Sequence, residues 1–181
     1  MIVFINGPSG IGKTYVSKQI FKELQNESCL LEYDKYYLKW NAERYEKAIR
    51  ENVIFGIVPF VDLYENIDYL TAFRNIIIDY ASKQYKYIFV VMSITNNWCL
   101  NNFPIYFKKS GYDVKHFVLL AKEEELCRRI TEANEDKKYA KDHYKEQLLY
   151  VHNNLMNEEI IYTDNLSAED ISNQIISMIA E

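Results

Sequence analysis

An apolar run, Met1-Ile2-Val3-Phe4-Ile5-Asn6, leads without a break into Gly7-Pro8-Ser9-Gly10-Ile11-Gly12-Lys13-Thr14. The run has the β-branched character of a buried strand. The segment after it matches G-x-x-x-x-G-K-[ST] in full. Val16, Ile20, Phe21 and Leu24 then fall on one helical face. Strand, glycine loop and helix in this order predict a chain built around an anion held where the strand ends and the helix begins.

Each position has a chemical reason. Gly7, Gly10 and Gly12 permit backbone angles that turn N–H groups inward and admit a phosphate. The start of the helix adds unpaired N–H groups and the positive end of its dipole. Lys13 can set an ammonium on the β- and γ-phosphates, and the Thr14 hydroxyl can ligate Mg²⁺. Ser9, Ile11 and Tyr15 complete the expected nucleotide contacts. The plain alternative, a glycine turn without a ligand, does not account for motif and context together. The expectation is binding of ATP with Mg²⁺.

Composition narrows the class. A length of 181 residues suits one domain spanning 1–181. The 49% hydrophobic content is enough for a core, and the net charge of −5 argues against nonspecific nucleic-acid binding. Cys29, Cys99 and Cys127 are odd in number and far apart, which reads as reduced thiols in a cytosolic protein. There is no signal-peptide pattern and no apolar run near the roughly 18 residues of a membrane span.

Along the rest of the chain, Ser28 to Tyr33 reads as a second strand, with Asp34 at its C-terminal end, where ligands bind in open α/β sheets. Asp34 can accept a proton from an attacking hydroxyl, support Mg²⁺ through water, or cap the following helix. Lys35–Asn52 reads as a helix, 53–61 as irregular, and Asn66–Lys83 as an amphipathic helix carrying Ile67, Leu70, Phe73, Ile77 and Tyr80. This 35–83 stretch exceeds a simple crossover and is expected to be a helical insertion. Its aromatics can pack the core or stack on a substrate. Arg44, Arg50 and Arg74 are either surface charges or contacts to an anionic substrate.

Tyr87–Met92 reads as a central strand. No aspartate follows it; Ser93 or Thr95 can substitute through a water-mediated metal contact, or the turn is simply a turn. Trp98–Ser110 is expected to be one helix ended by Gly111, and Asp113–Leu120 a fourth strand with an internal His116 that reads as structural. Lys122–Ala133 has acids in its first turn, favourable to the dipole. Asn134–Lys141 reads as a mobile charged stretch with Lys137, Lys138 and Lys141, followed by a helix from Asp142 to about Asn157. Ile160–Thr163 is the last strand, and Ser167 opens the last helix. The alternation predicts an α/β three-layer sandwich around a parallel sheet of about five strands.

The phosphate loop, the acid after the second strand and Leu126-Cys127-Arg128-Arg129 resemble the small-molecule and nucleotide kinase branch of P-loop proteins. Within it, Ile5-Asn6-Gly7, Tyr33-Asp34, Met92-Ser93-Ile94-Thr95-Asn96, His116-Phe117-Val118-Leu119 and Thr163-Asp164-Asn165-Leu166-Ser167 are similar to segments of tunicamycin-resistance proteins. The resemblance implies an ATP- and Mg²⁺-dependent phosphotransferase with a small-molecule acceptor. It implies a lid over about 128–142, Arg129 near adenine or the phosphates, and Arg128 beside it. It gives Lys13, Asp34 and Arg129 as catalytic residues, and Thr14 and Asp34 as metal contacts. Ala133 stands where a further lid arginine is expected, leaving Arg128 or nearby lysines to replace it. The resistance protein's C-terminal membrane-associated tail has no counterpart here, so a soluble, cytoplasmic protein is expected. A metabolic nucleoside or nucleotide kinase and a non-catalytic ATP-gated binding protein are the alternatives.

Overall fold

The computed structural model describes residues 1–51, 66–132, 137–155 and 158–180, with side chains described outside 137–145. Five strands, β1 (Ile2–Asn6), β2 (Ser28–Glu32), β3 (Tyr87–Val91), β4 (Val114–Leu120) and β5 (Glu159–Tyr162), form one sheet in the order β2-β3-β1-β4-β5. Every pairing is parallel. The chain therefore leaves β1 toward one edge of the sheet and returns to build the other edge from β4 onward. The C-terminal end of β1 lies where the strand order changes direction, the crevice in which open α/β sheets receive ligands.

Strand alternation divides the core into two layers. Ile2, Phe4, Ile88, Val90, Val118 and Leu120 face one side. There they meet α2 (Tyr33–Glu51), α3 (Ile67–Ser82), α4 (Asn97–Asn102), α5 (Pro104–Lys109) and the end of α7 (Lys137–Asn154). Val3, Ile5, Phe89, Val91, Phe117 and Leu119 face the other side. Their partners are Val16 and Ile20 of α1 (Lys13–Glu23), Leu126 and Ile130 of α6 (Glu123–Glu132), and Ile171, Ile175 and Ile179 of α8 (Ala168–Ala180). The expected three-layer α/β sandwich with a five-stranded parallel sheet is the observed one.

Local chemistry fixes the boundaries. The Asn66 side chain accepts from Tyr69 N at 2.9 Å and starts α3. Ser167 and Asp170 cap the start of α8 reciprocally, Asp170 N donating to Ser167 Oγ and Ser167 N to Asp170 Oδ2. The expected Trp98–Ser110 helix is two short ones, because Phe103 precedes Pro104 and leaves the helical region, with φ −119° and ψ −89°. β2 ends at Glu32 and α2 begins at Tyr33, so Asp34 sits inside the first helical turn rather than at a strand end or an N-cap. α7 begins at Lys137, five residues before the expected start: Lys and Ala are good helix formers, and clustered charge does not prevent a helix. The expected irregular stretch at 53–61 and Ala133 lie outside the described residues.

Among the described residues, most insertion aromatics pack the core. Tyr33 is fully buried with the Tyr69, Phe73 and Phe103 ring centroids at 4.8, 4.9 and 5.6 Å, edge-on. The Tyr69 hydroxyl donates to the Tyr33 carbonyl. These contacts hold the start of α2 against α3. No helix among the described residues is long and apolar enough to cross a membrane.

Candidate functional site

The phosphate loop is held from behind by side chains. Gly7, Gly10 and Gly12 all have positive φ. At Gly7, with φ +149°, a Cβ would stand 2.6 Å from the Leu119 carbonyl oxygen of the neighbouring strand. At Gly10 it would stand 2.6 Å from Ile130 Cγ1 of α6. Both positions require glycine for space as well as conformation. Buried Asn6 accepts from Gly7 N and from Ile94 N, each at 2.7 Å, and the Ser93 hydroxyl donates to Gly7 O at 3.1 Å. The segment after β3 thus clamps the first residue of the loop. Ser93, weighed above as a substitute metal contact, spends its hydrogen on this clamp.

α1 begins at Lys13, and its first regular bonds are those of Tyr15 N and Val16 N to Gly12 O. The N–H groups ahead of them belong to the unsatisfied start of a helix. The Lys13 ammonium donates to Gly7 O at 2.7 Å and Pro8 O at 2.9 Å, which bends it over the loop. Thr14 is exposed one residue further on.

A cavity of about 1030 Å³ runs along this loop. Ser9, Gly10, Ile11, Gly12, Lys13, Thr14 and Tyr15 line its floor, while Gly7 lies behind them. At one end stand Glu32, Asp34 and Lys35; at the other stand Arg128, Arg129, Glu125, Glu132 and the 165–168 turn. Residues from distant parts of the sequence therefore meet at one site. Asp34 is exposed in the first turn of α2, where a carboxylate suits the helix dipole. Glu32, which sequence reasoning passed over, is the last residue of β2 and pairs in register with Val91, the last of β3. A carboxylate thus stands one strand away from the missing acid after β3. It forms an ion pair with Lys35, and its side chain is only 12% exposed.

The far end is an ion-pair network. Arg129 Nε donates to Glu125 Oε1 at 2.7 Å, Nη1 to Ile11 O and Thr163 Oγ1 at 3.0 Å each, and Nη2 to Thr163 O at 2.8 Å. It ties α6 to the phosphate loop and to the end of β5. Arg128 grips Glu125 with two parallel bonds of 2.9 and 2.8 Å and also reaches Glu132. Hydrogen bonds from Arg128 and then Arg129 hold the Glu125 carboxyl down to about 2. Both arginines line the cavity, and the bonds they make there are to protein acceptors. No single stretch of sequence announces this: Ile11, Glu125 and Thr163 are far apart in the chain.

The arrangement fits a nucleoside triphosphate and Mg²⁺. A cation and a helix start face a concave glycine loop, a hydroxyl follows, and carboxylates stand at one end. His116 is elsewhere: buried in β4 with Nδ1 3.5 Å from Glu158 Oε2, it belongs to the core.

No family model and no curated protein matches the chain. Solved structures do. The tunicamycin resistance protein of Deinococcus radiodurans matches with a TM-score of 0.71 and 19% identity, over 98% of this chain and 94% of that one. The chain has a kinase-like P-loop fold. Shikimate kinase from Bacteroides thetaiotaomicron matches at TM-score 0.62 and 17% identity over 99% and 98% of the two chains. A gluconokinase from Sinorhizobium meliloti 1021 matches at 0.61 and 13%, over 98% and 90%. At these identities the likeness concerns fold.

Proposed function

We propose that the chain is an ATP- and Mg²⁺-dependent phosphotransferase acting on a hydroxyl of a small molecule, with 1–181 as one kinase-like domain. The observation that carries this reading is the continuous cavity in which Lys13 and Thr14 lie between an acidic end and an arginine end. Lys13 neutralises the β- and γ-phosphates, and the loop N–H groups from Ser9 to Thr14 bind their oxygens. Thr14 would hold Mg²⁺ and Asp34 would support it, the bound metal supplying charge neutralisation for the transferred phosphoryl group. Asp34 orients the acceptor hydroxyl and takes its proton. Arg129 stabilises the loop and, with Arg128, the charge near the nucleotide. The likeness to the Deinococcus protein supports a nucleoside-type antibiotic such as tunicamycin as an acceptor; the kinase likenesses equally support a metabolic nucleoside or nucleotide kinase.

A second reading, an ATP-gated protein that sequesters its ligand without turnover, is favoured by one observation. Arg128 and Arg129 bond to Glu125, Glu132, Ile11 and Thr163 rather than standing clear for a transition state. A screen of ATP consumption across nucleosides, nucleotides and tunicamycin, with mass spectrometry of the acceptor and Asp34→Asn as control, separates the readings. A phosphorylated acceptor establishes the enzyme. ATP and ligand binding without any phosphorylated product moves sequestration to first place.

A further inference from the structure

Thr163, the residue after β5, is fully buried, and its hydroxyl stands between two elements that frame the phosphate loop. Oγ1 donates to Leu120 O at the end of β4 and accepts from Arg129 Nη1, each at 3.0 Å. The same Nη1 donates to Ile11 O at 3.0 Å, and Nη2 donates to Thr163 O at 2.8 Å. Asp164, the next residue, accepts from Lys122 N at 3.0 and 3.3 Å, just before α6 begins. Lys122 and Arg129 are seven residues apart and so lie on one side of the helix. α6 is thus fastened to the 163–164 turn at two points, and the second of them carries the bond onward to the phosphate loop.

The planar guanidinium makes this chain of bonds directional. One Nη1 hydrogen goes to the Thr163 hydroxyl, while Nε is held by Glu125 and Nη2 by Thr163 O. The other Nη1 hydrogen is thereby aimed at Ile11 O. The peptide joining Ile11 to Gly12 is trans, so its C=O and N–H point to opposite sides. Fixing Ile11 O toward α6 therefore fixes Gly12 N–H away from α6. Gly12 lines the cavity with φ +103°, and it has no side chain of its own to limit that angle. We infer that Thr163 is a positioning residue for anion binding: through Arg129, its hydroxyl holds the Ile11–Gly12 peptide so that Gly12 N–H is turned to the bound phosphates. This work of Arg129 through the loop backbone is additional to the charge it supplies. The inference rests on the reading of the loop as a triphosphate site.

The test uses Thr163→Val, which keeps the shape and removes the hydroxyl, and Thr163→Ser, which restores it. In the valine variant Leu120 O keeps the backbone N–H of residue 163, 2.7 Å away. Arg129 keeps Ile11 O, Glu125 and the carbonyl of residue 163, so the fold is expected to survive. Two measurements are made on the whole chain. In ¹H–¹⁵N spectra without ligand, the Gly12 amide signal is expected to move in the valine variant and return in the serine variant. By calorimetry with Mg²⁺, ATP and inorganic tripolyphosphate are both expected to bind about tenfold more weakly to the valine variant, the scale of one hydrogen bond to a charged group. The serine variant should recover both. A Gly12 signal that stays in place in the valine variant overturns the inference, as does unchanged affinity for both ligands or a serine variant no better than the valine one. Loss of ATP affinity alone, with tripolyphosphate unaffected, also overturns it, since the hydroxyl would then serve the nucleoside. If the parent protein binds neither ligand, the phosphotransferase reading fails, and the Gly12 signal alone decides whether the hydroxyl orients the peptide.

Discussion

The two ends of the cavity are built differently. The phosphate loop is held by buried bonds between side chains and backbone: Asn6 to Gly7 and Ile94, Ser93 to Gly7, and half-buried Arg129 to Ile11. At the acidic end, α2 shows charged residues to solvent, and its pairs Lys39–Glu43 and Lys47–Glu51 each join residues four apart. Bonds of the first kind cost a great deal to break, because a buried donor is left without an acceptor. Exposed pairs of the second kind are worth little. The contrast teaches that the glycine-loop frame is rigid by construction, whereas the exposed surface of α2 can change sequence at small cost to stability.

Predictions follow this contrast from strong effects to weak. Asp34→Asn removes charge and basicity but keeps shape, so turnover should fall about 10²–10⁴-fold in a steady-state assay while ATP affinity without Mg²⁺ is retained. Unchanged turnover would free the acceptor end from any role in chemistry. Lys13→Ala should weaken ATP about 10²-fold by calorimetry, the scale of losing a charge-assisted contact. The melting temperature should barely move, since Gly7 O keeps the Ser93 hydroxyl and Pro8 O keeps Ile11 N as donors; equal ATP affinity in the two proteins would remove the loop from nucleotide binding.

Asn6→Ala should cost about 2 kcal/mol in denaturant unfolding, because Gly7 N and Ile94 N lose their acceptor in a buried place. Asn6→Asp keeps that acceptor and should recover most of the ATP affinity lost in the alanine variant. Failure of that rescue would show that the clamp does not position the loop. Glu125→Gln tests the arginine end through acid. The folded-state value of about 2 lies below the ordinary 4.5, so its stabilisation is full above pH 4.5 and is lost as pH falls through 2. The variant should lose about 1 kcal/mol at pH 7 and show a flatter decline from pH 5 to 2 in thermal melts. Lys39→Ala, at the exposed face of α2, should stay within about 0.5 kcal/mol of the parent.

How much of this was legible in the sequence depended on distance along the chain. The phosphate loop is contiguous, and its glycines, lysine and threonine declare their geometry together. The sheet was legible because buried parallel strands are nearly pure apolar runs. Asn6 looked like the end of such a run, since its partner Ile94 is 88 residues away. Arg129 was expected as a lid residue, and its bonds to Ile11 and Thr163, 118 and 34 residues distant, were not legible. Glu32 was hidden by a boundary error of one residue: ending β2 at Tyr33 drew attention to Asp34 and left the true terminal acid inside the strand. The break at Phe103 was signalled by Pro104, and short helices on either side were masked by a continuous helical pattern.

The central place of β1 also sets a timetable for synthesis. β1 is made first, yet its hydrogen-bonding partners are β3 and β4, which end at Val91 and Leu120. At about 5–20 residues per second, β4 is complete roughly 6–23 s after β1 has been translated. Until Val91 is made, Ile2, Val3, Phe4 and Ile5 form an apolar segment with neither neighbour in place, and until β4 is made they lack one neighbour and the glycine loop has no Leu119 behind it. The feature that makes the loop rigid in the finished molecule thus makes its strand the longest exposed during birth. Ribosome-bound chains halted before and after Leu120 should differ sharply in resistance of this first segment to protease.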